Sequence, residues 1–330
     1  MPKAPSWPSI AALAAILAWP PAGFSDPAPV EPNAAGDGLP ASPAHVRVAA
    51  ISFVPDKFGL ESNVRRLQQA FRQAKVGGAE IAVAPEGVLE GYVVDQIIAG
   101  QTPADRMRRV ALPVDSPVIK SFQQLAQQLQ MCLVFGFAEK IGADVYNTAI
   151  FIDDRGNIRG QHHKVLLAEG YSDSWWFDRL GQQCRAFDTP FGRCGMLICN
   201  DRWSPVPAKI LALDGAQFLL IPSYGNRSTA QDETVLSRGR ENSVPIVEAN
   251  VGVTLIVDRD RIAEVNRQEV GITYGWIDIP PARTPDLAAR DRVERDFLAW
   301  RPDEMKRRLE KRLAEVAPGK KPLARDQPTP

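Results

Sequence analysis

A chain of 330 residues, 45% hydrophobic and 24% charged, can bury a sizeable core as one large domain or two small ones. Its 39 basic and 39 acidic residues leave no formal net charge, so bulk charge gives no pull toward nucleic acid or an acidic membrane, and neither is expected as a partner. The first residues read as an export signal. Lys3 gives a positive start, and residues 10–19 are an apolar run too short to cross a bilayer about 30 Å thick. Gly23 and Ser25 then offer small side chains at the positions a signal peptidase reads. A signal peptide over 1–25 is expected, with cleavage near Ser25 and a secreted or periplasmic mature chain free of the membrane. Residues 26–43, rich in Pro, Ala, Gly and Asp, have little to bury and read as a flexible leader.

Strand and helix patterns alternate from residue 45 to about 280. "HVRVAAISF" alternates with β period, and "SNVRRLQQAFRQAK" places Val64, Leu67, Phe71 and Ala74 on one helical face. "AEIAVAPE" is a short buried strand ending at Pro85 and Glu86. "SPVIKSFQQLAQQLQ" has Ser116 as cap, Pro117 in the first turn, and a stripe of Ile119, Phe122, Leu125, Ala126 and Leu129. "CLVFGFAEK", "YNTAIFID" and "IRGQHHK" follow as strands, the last two joined by a turn over 153–157. The second half repeats the style. "CGMLIC" is a strand, "VPAKILALDG" a helix, "AQFLLIPS" a strand, "QDETVLSRGREN" a helix, and "PIVEANV" and "GVTLIVD" strands. The pattern demands helices layered on sheet, an α/β fold. From about 284 the composition changes, and residues 284–330 read as a helical extension and tail. "PDEMKRRLEKRLAEVAPGKKP" sets Met305, Leu309, Leu313 and Val316 on one stripe of a charged helix, ended by Pro318 and Gly319. Such a helix either docks on the domain or packs on a second subunit.

Cofactor chemistry finds no support. GxGxxG and GxxxxGK[ST] are absent, as is GxSxG. The four cysteines, Cys132, Cys184, Cys194 and Cys199, form no CxxC, so a thiolate zinc site is not expected. His162 and His163 are adjacent on a strand and point to opposite faces, which makes a metal site improbable. Cys184 and Cys194 flank a predicted hairpin, "RAFDTPFGR", and an oxidising compartment permits a bridge between them. Cys132 reads as a small core residue. Asn226, Arg227 and Ser228 fit a glycosylation sequon, usable only on a eukaryotic secretory route.

Three reactive residues recur in one context. Glu86 follows "IAVAP", Lys164 follows "IRGQHH", and Cys199 follows "GMLI", each where an apolar strand runs out. Side chains at the carboxyl ends of neighbouring strands converge on one crevice in layered α/β folds. The chemistry is coherent. A cysteine with pKa about 8.5 is only slightly ionised near neutral pH and needs a base or a positive neighbour. Glu86 can take its proton if burial raises the carboxylate pKa. Lys164, helped by a backbone N–H after Cys199, can hold the oxyanion that forms on attack at a carbonyl.

These segments resemble the carbon–nitrogen hydrolase (nitrilase) superfamily, whose members use a Glu–Lys–Cys triad. "GGAEIAVAPEGVLEGY" is similar to the glutamate motif, "IRGQHHKVLL" to the lysine motif and "TPFGRCGMLICNDRWSP" to the cysteine motif. "SRGRENSVPIVEANVG" is similar to the downstream helix and strand, so the resemblance covers roughly residues 45–280. It implies a hydrolase domain over 44–283 folded as a four-layer α-β-β-α sandwich. It also implies a homodimer or higher homo-oligomer, no cofactor, and a small-molecule amide or carbamoyl substrate cleaved through a cysteine thioester. Glu86, Lys164 and Cys199 take the catalytic roles, and Glu169, the only glutamate between the lysine and the cysteine, takes an accessory one. Asn200 stands where nitrile-cleaving members carry tryptophan. "CNDR" resembles N-carbamoyl amino acid hydrolases, in which an arginine beside the nucleophile reads the substrate carboxylate, a role that falls to Arg202 or leaves it a structural ion-pair residue. The chain departs from that branch at Trp203 and Val206. Asn200, Arg202, Trp203 and Tyr92 are the expected substrate-binding residues. Tyr171, Trp175 and Trp176 either wall the pocket or pack under a loop. An acyltransferase using the same thioester, and a degenerate secreted binding or assembly protein, remain the alternatives.

Overall fold

In the first strand, β1 (Ala44–Ser52), residues Val46, Val48 and Ala50 face one side while Ala49 and Ile51 face the other, and all are buried. A strand buried on both faces must be covered twice, and the rest of the fold supplies both covers. The structure, a computed structural model, describes residues 44–316. The expected signal peptide over 1–25, the leader over 26–43 and the tail after 316 lie outside the described residues.

The first half runs β1, α1 (Leu60–Val76), β2 (Ile81–Val83), α2 (Val94–Ile98), α3 (Asp105–Val110), α4 (Pro117–Leu129), β3 (Cys132–Ile141), β4 (Asp144–Ile152) and β5 (Ile158–His163). The second runs β6 (Phe187–Thr189), β7 (Gly192–Met196), α5 (Pro205–Leu213), β8 (Phe218–Ser223), α6 (Thr229–Asn242), β9 (Ile246–Asn250), β10 (Val253–Asp258), β11 (Arg261–Asn266), β12 (Gly271–Ile279) and α7 (Leu287–Val316). Two six-stranded sheets result, ordered β12-β1-β2-β3-β4-β5 and β11-β10-β9-β8-β7-β6. Strands β1, β2 and β3 are parallel in one, and β7, β8 and β9 in the other.

Period-two alternation sorts the apolar side chains into three buried layers. Val48, Val83, Val134 and Phe151 from one sheet meet Met196, Phe218, Leu220 and Val247 from the other. The outer face of the first sheet buries Ile51, Leu133 and Phe135 against Leu67 and Phe71 of α1 and Phe122 of α4. The outer face of the second buries Leu219 and Ile221 against α5 and α6, together with Phe297 and Met305 of α7. Helix, sheet, sheet, helix is the expected four-layer sandwich. The helices form where sequence permits. Ser116 Oγ accepts from the Ile119 N–H at the start of α4, Pro117 occupies its first turn, and Gln130 ends it in the left-handed conformation. Full burial of Phe71, Phe122 and Phe135 contributes roughly 2–3 kcal/mol each.

Three features differ from the sequence reading. Strands β11 and β12 were not among the predicted elements, yet β12 pairs with β1 along its whole length. The hairpin of β6 and β7 forms, with Phe187 opposite Cys194, but all four cysteines are free thiols. Cys194 sits between the sheets and Cys184 under α7, in different layers. Finally, α7 begins at Leu287 and runs through Pro302. It docks through Phe297 and Met305, while Leu313, the third residue of the predicted stripe, is 52% exposed. The docked helix grips the segment after β5. Arg301 donates to the Gly181 and Val165 carbonyls, Arg308 to the Leu167 carbonyl, and Met305 O accepts from the Tyr171 N–H.

Candidate active site

Glu86 lies just past β2, Lys164 directly after β5, and Cys199 just past β7, where it opens a short 3-10 turn (Cys199–Trp203). The two sheets bring these three strand ends together. Lys164 Nζ is 2.5 Å from Glu86 Oε1, and both side chains are fully buried. Asn147 Nδ2 donates to the same oxygen at 2.7 Å, and Glu86 Oε2 accepts from the Tyr224 N–H at 3.0 Å. The Cys199 thiol lies 3.7 Å from the Tyr224 carbonyl and is close enough to Glu86 and Lys164 for both charges to act on it. Cys199 is 6% exposed and has φ +43°, a left-handed conformation that a side-chain-bearing residue holds only when its surroundings impose it.

The electrostatics follow from burial. Loss of water raises the Glu86 carboxyl, and Lys164, Asn147 and Cys199 oppose the shift. The Cys199 thiol is pushed up to about 11 by burial and by Glu86, with Lys164 and Arg202 pulling it down. Burial alone would lower the Lys164 ammonium, but the charges of Glu86, Cys199 and Glu169 more than offset it and raise it. The resting site therefore holds a protonated thiol beside a Lys–Glu ion pair, and a carboxylate whose basicity is raised by its surroundings.

Around this centre the other predicted residues divide. Tyr92 (φ +51°) is buried, stacks on Tyr224 with centroids 4.9 Å apart, and holds its ring 5.6 Å from Lys164 Nζ. Glu169 is buried near enough to act on Lys164 and on the Asp178 carboxyl, which burial and Glu169 push well above the usual carboxylate range. Asn200 turns its Nδ2 to the Leu166 carbonyl, 3.0 Å away, so its amide holds the lysine segment rather than an open pocket. Arg202 is fully buried, with Nη1 2.8 Å from Ser223 Oγ and 3.0 Å from Glu248 Oε1. Of the two roles the sequence left to Arg202, the structure displays the ion pair: Glu248 holds Nη1, and the guanidinium is close enough to act on the Cys199 thiol. Trp203 is 38% exposed and flanks Arg202. Tyr92 and Phe177 line a small hollow beside the site, shared with Glu90, Asn147 and Asp178 and large enough for about one water, whereas Tyr171, Trp175 and Trp176 pack against the neighbouring apolar clusters.

Sequence reading missed the residues that fix this geometry. Asp201 is the clearest. Its Oδ1 accepts from the N–H groups of Val165 and Leu166, directly after the lysine, and its Oδ2 accepts from the Ile198 N–H, directly before the cysteine. His162 Nε2 lies 2.9 Å from the same Oδ2. One buried carboxylate thus ties the lysine and cysteine segments together. A signal existed, since a charged residue two positions past an apolar strand end needs partners if buried. Asn147 and the backbone of Tyr224 carried none, because their partners lie far away in sequence. His163, on the opposite face of the strand, contacts Glu139, and no cluster of three or more His, Cys, Asp or Glu side chains able to hold a metal occurs among the described residues.

A two-sheet sandwich with a carboxylate, an ammonium and a thiol at converging strand ends defines a hydrolase of the carbon–nitrogen type. Residues 47–282 match the carbon-nitrogen hydrolase family, and the chain belongs to it. It is similar to a citrullinase from Francisella tularensis, 26% identical over 71% of this chain and 90% of that one. It is also similar to an N-carbamoylputrescine amidase from Solanum tuberosum, 28% identical over 77% and 85%. Among solved structures, an amidase from Nesterenkonia sp. shares the fold with TM-score 0.59 at 21% identity, covering 80% of this chain and 96% of that one. A variant of that amidase carries the acetamide moiety of fluoroacetamide covalently added at its active-site cysteine.

Proposed function

We propose that this carbon–nitrogen hydrolase cleaves a linear amide or N-carbamoyl group through a thioester on Cys199. The observation that carries the reading is the contact set at Glu86: Lys164 Nζ at 2.5 Å and Asn147 Nδ2 at 2.7 Å, with the Cys199 thiol near enough for the charges of Glu86 and Lys164 to act on it. Glu86 takes the thiol proton as Sγ forms its bond to the carbonyl carbon. The carbonyl oxygen becomes an oxyanion facing Lys164 Nζ and the backbone N–H that follows Cys199. Collapse of the tetrahedral adduct breaks the C–N bond, and Glu86 returns its proton to the leaving nitrogen. Water then attacks the thioester, Glu86 accepts the water proton, and the second collapse returns it to Cys199 as the acid leaves. Asn147 and the Tyr224 N–H hold the carboxylate throughout. Glu169 supports Lys164, and Arg202 sets a fixed positive charge near the sulfur. The named activities of the citrullinase and carbamoylputrescine amidase relatives support a ureido or amide substrate for this chain too.

The test is ammonia release from a panel of linear amides and ureas by purified protein, with Cys199→Ala alongside and mass spectrometry of rapidly quenched reactions. Turnover that disappears in Cys199→Ala and an acyl adduct on the Cys199 peptide are expected. Unchanged turnover in Cys199→Ala refutes the reading.

A further inference from the structure

Part of the catalytic geometry is supplied by an exposed turn. Ser223 and Asn250 form the last paired residues of β8 and β9, and the chain then leaves the sheet through Tyr224, Gly225 and Asn226. Tyr224 is half-buried, and residues 225–227 are exposed. Yet the turn makes two contacts with the buried centre. The Tyr224 N–H donates to Glu86 Oε2 at 3.0 Å, and the Tyr224 carbonyl stands 3.7 Å from Cys199 Sγ. A Cβ on Gly225 would also lie 3.7 Å from that sulfur, so the turn backs directly on the thiol. Exposed connecting segments move more than the elements they join. One that sets a base and a nucleophile needs a fixed support.

Asn250 gives that support from inside the fold. It is fully buried, and its side-chain amide spans the turn. Its Oδ1 accepts from the Gly225 N–H at 3.0 Å, and its Nδ2 donates to the Asn226 carbonyl at 2.8 Å. The amide thus acts as one more rung after the strand ladder has ended. The turn offers one donor and one acceptor, which an amide matches; a carboxylate brings acceptors only, and an apolar side chain neither. Two residues earlier, on the same face of β9, the demand is different. There Arg202, Ser223 and Gln231 all donate, and the residue is the carboxylate Glu248. Further along the turn, Arg267 donates to the Arg227 carbonyl. Asn250 holds the stretch next to the sulfur.

Resting on the hydrolase reading above, we propose that Asn250 is a positioning residue for the reaction, clamping the turn so that the Tyr224 N–H stays on Glu86 and the Tyr224 carbonyl and Gly225 stay against the Cys199 thiol. It touches neither substrate nor reacting atoms and acts through the backbone of the turn. Without the clamp Glu86 loses a donor to its charged form, which raises its pKa and moves the acid limb of activity to higher pH. The sulfur loses the wall that Gly225 provides and becomes easier to reach.

The experiment measures kcat, KM and the pH profile of kcat/KM for the natural chain, Asn250→Ala and Asn250→Asp, with the linear amide turned over fastest in the panel above. Asn250→Asp keeps the acceptor for Gly225 but sets an oxygen against the Asn226 carbonyl, and it stands in if the alanine variant does not fold. In either variant kcat is expected to fall about tenfold or more with KM little changed, and the acid limb to rise by about half a pH unit or more. Iodoacetamide labelling of Cys199, followed on its peptide by mass spectrometry, is a readout independent of turnover and is expected to quicken about threefold or more. Urea midpoints recorded alongside separate folding from positioning. A lowered midpoint with the acid limb and the labelling rate unmoved assigns Asn250 to folding alone and overturns the proposal, and leaves the hydrolase reading standing. Absence of turnover in the natural chain overturns the hydrolase reading, and the labelling rate then decides the clamp by itself: faster labelling supports it and unchanged labelling overturns it.

Discussion

Glu90 makes a stability prediction whose sign is fixed by its surroundings. Burial pushes its carboxyl up from 4.5 to about 7, with the Ala138 and its own backbone N–H pulling it down, Glu86 pushing it up and Lys57 opposing. The folded chain therefore keeps a proton that the unfolded chain releases between those two values, and folded-state stability declines as pH rises through that window. At 1.36 kcal/mol per unit the full cost is about 3 kcal/mol, most of which develops between pH 5 and pH 8. Glu90→Gln removes the titration while keeping an acceptor for the Ala138 N–H, which Glu90 Oε2 now binds at 3.0 Å. Urea unfolding midpoints for the two proteins at both pH values are the assay. The variant is expected to gain about 2–3 kcal/mol relative to the natural chain on going from pH 5 to pH 8, whatever its offset at pH 5. A gap between the two that stays constant within about 0.5 kcal/mol refutes a buried, unpaired carboxylate at this position.

Three further outcomes follow from the same geometry. Gly170 has φ +82°, and a Cβ there would stand 2.2 Å from the Leu309 backbone nitrogen in α7. Left-handed strain and the overlap together cost Gly170→Ala about 2–5 kcal/mol in thermal or urea unfolding, and an unchanged midpoint would show that α7 does not grip this loop. Asp201→Asn supplies one acceptor oxygen and two donors where Asp201 meets the N–H groups of Val165, Leu166 and Ile198. It is expected to destabilise by about 3 kcal/mol and to lower kcat more than it raises KM, and activity within twofold of the natural chain contradicts the tether. Because Glu86 serves as base only when ionised and its pKa is raised, the acid limb of kcat/KM is expected above pH 4.5, and a limb at or below that value excludes Glu86 from the role.

The layer architecture was legible because strands such as "AEIAVAPE" and "AQFLLIPS" are buried on both faces and flanked by amphipathic helices such as α1 and α4. The three reactive residues were legible because each ends an apolar strand. Strands β11 and β12 were not: β11 is largely exposed and carries charged residues, so it lacks a buried apolar pattern, and β12 pairs with β1, Ala44 with Ile279 for example, across almost the whole fold. The start of α7 was hidden by Pro302, which reads as a first-turn residue but here lies inside the helix. The role expected of Arg202 rested on local sequence, whereas its partner Glu248 comes from β9 in the same sheet as β7. A local pattern can name an ionic residue, but only the sheet order decides what neutralises it.

That distinction bears on the centre itself. Arg202 pairs with Glu248 and Lys164 with Glu86, so each of these buried cations beside the sulfur has its own carboxylate. Glu90 is held instead by the Ala138 N–H, and the fold carries its carboxyl at a cost that an amide replacement would remove. The gain in stability expected of Glu90→Gln on raising the pH therefore measures what it costs the fold to leave one buried carboxylate to backbone donors alone, and a constant gap would mean that the position costs nothing.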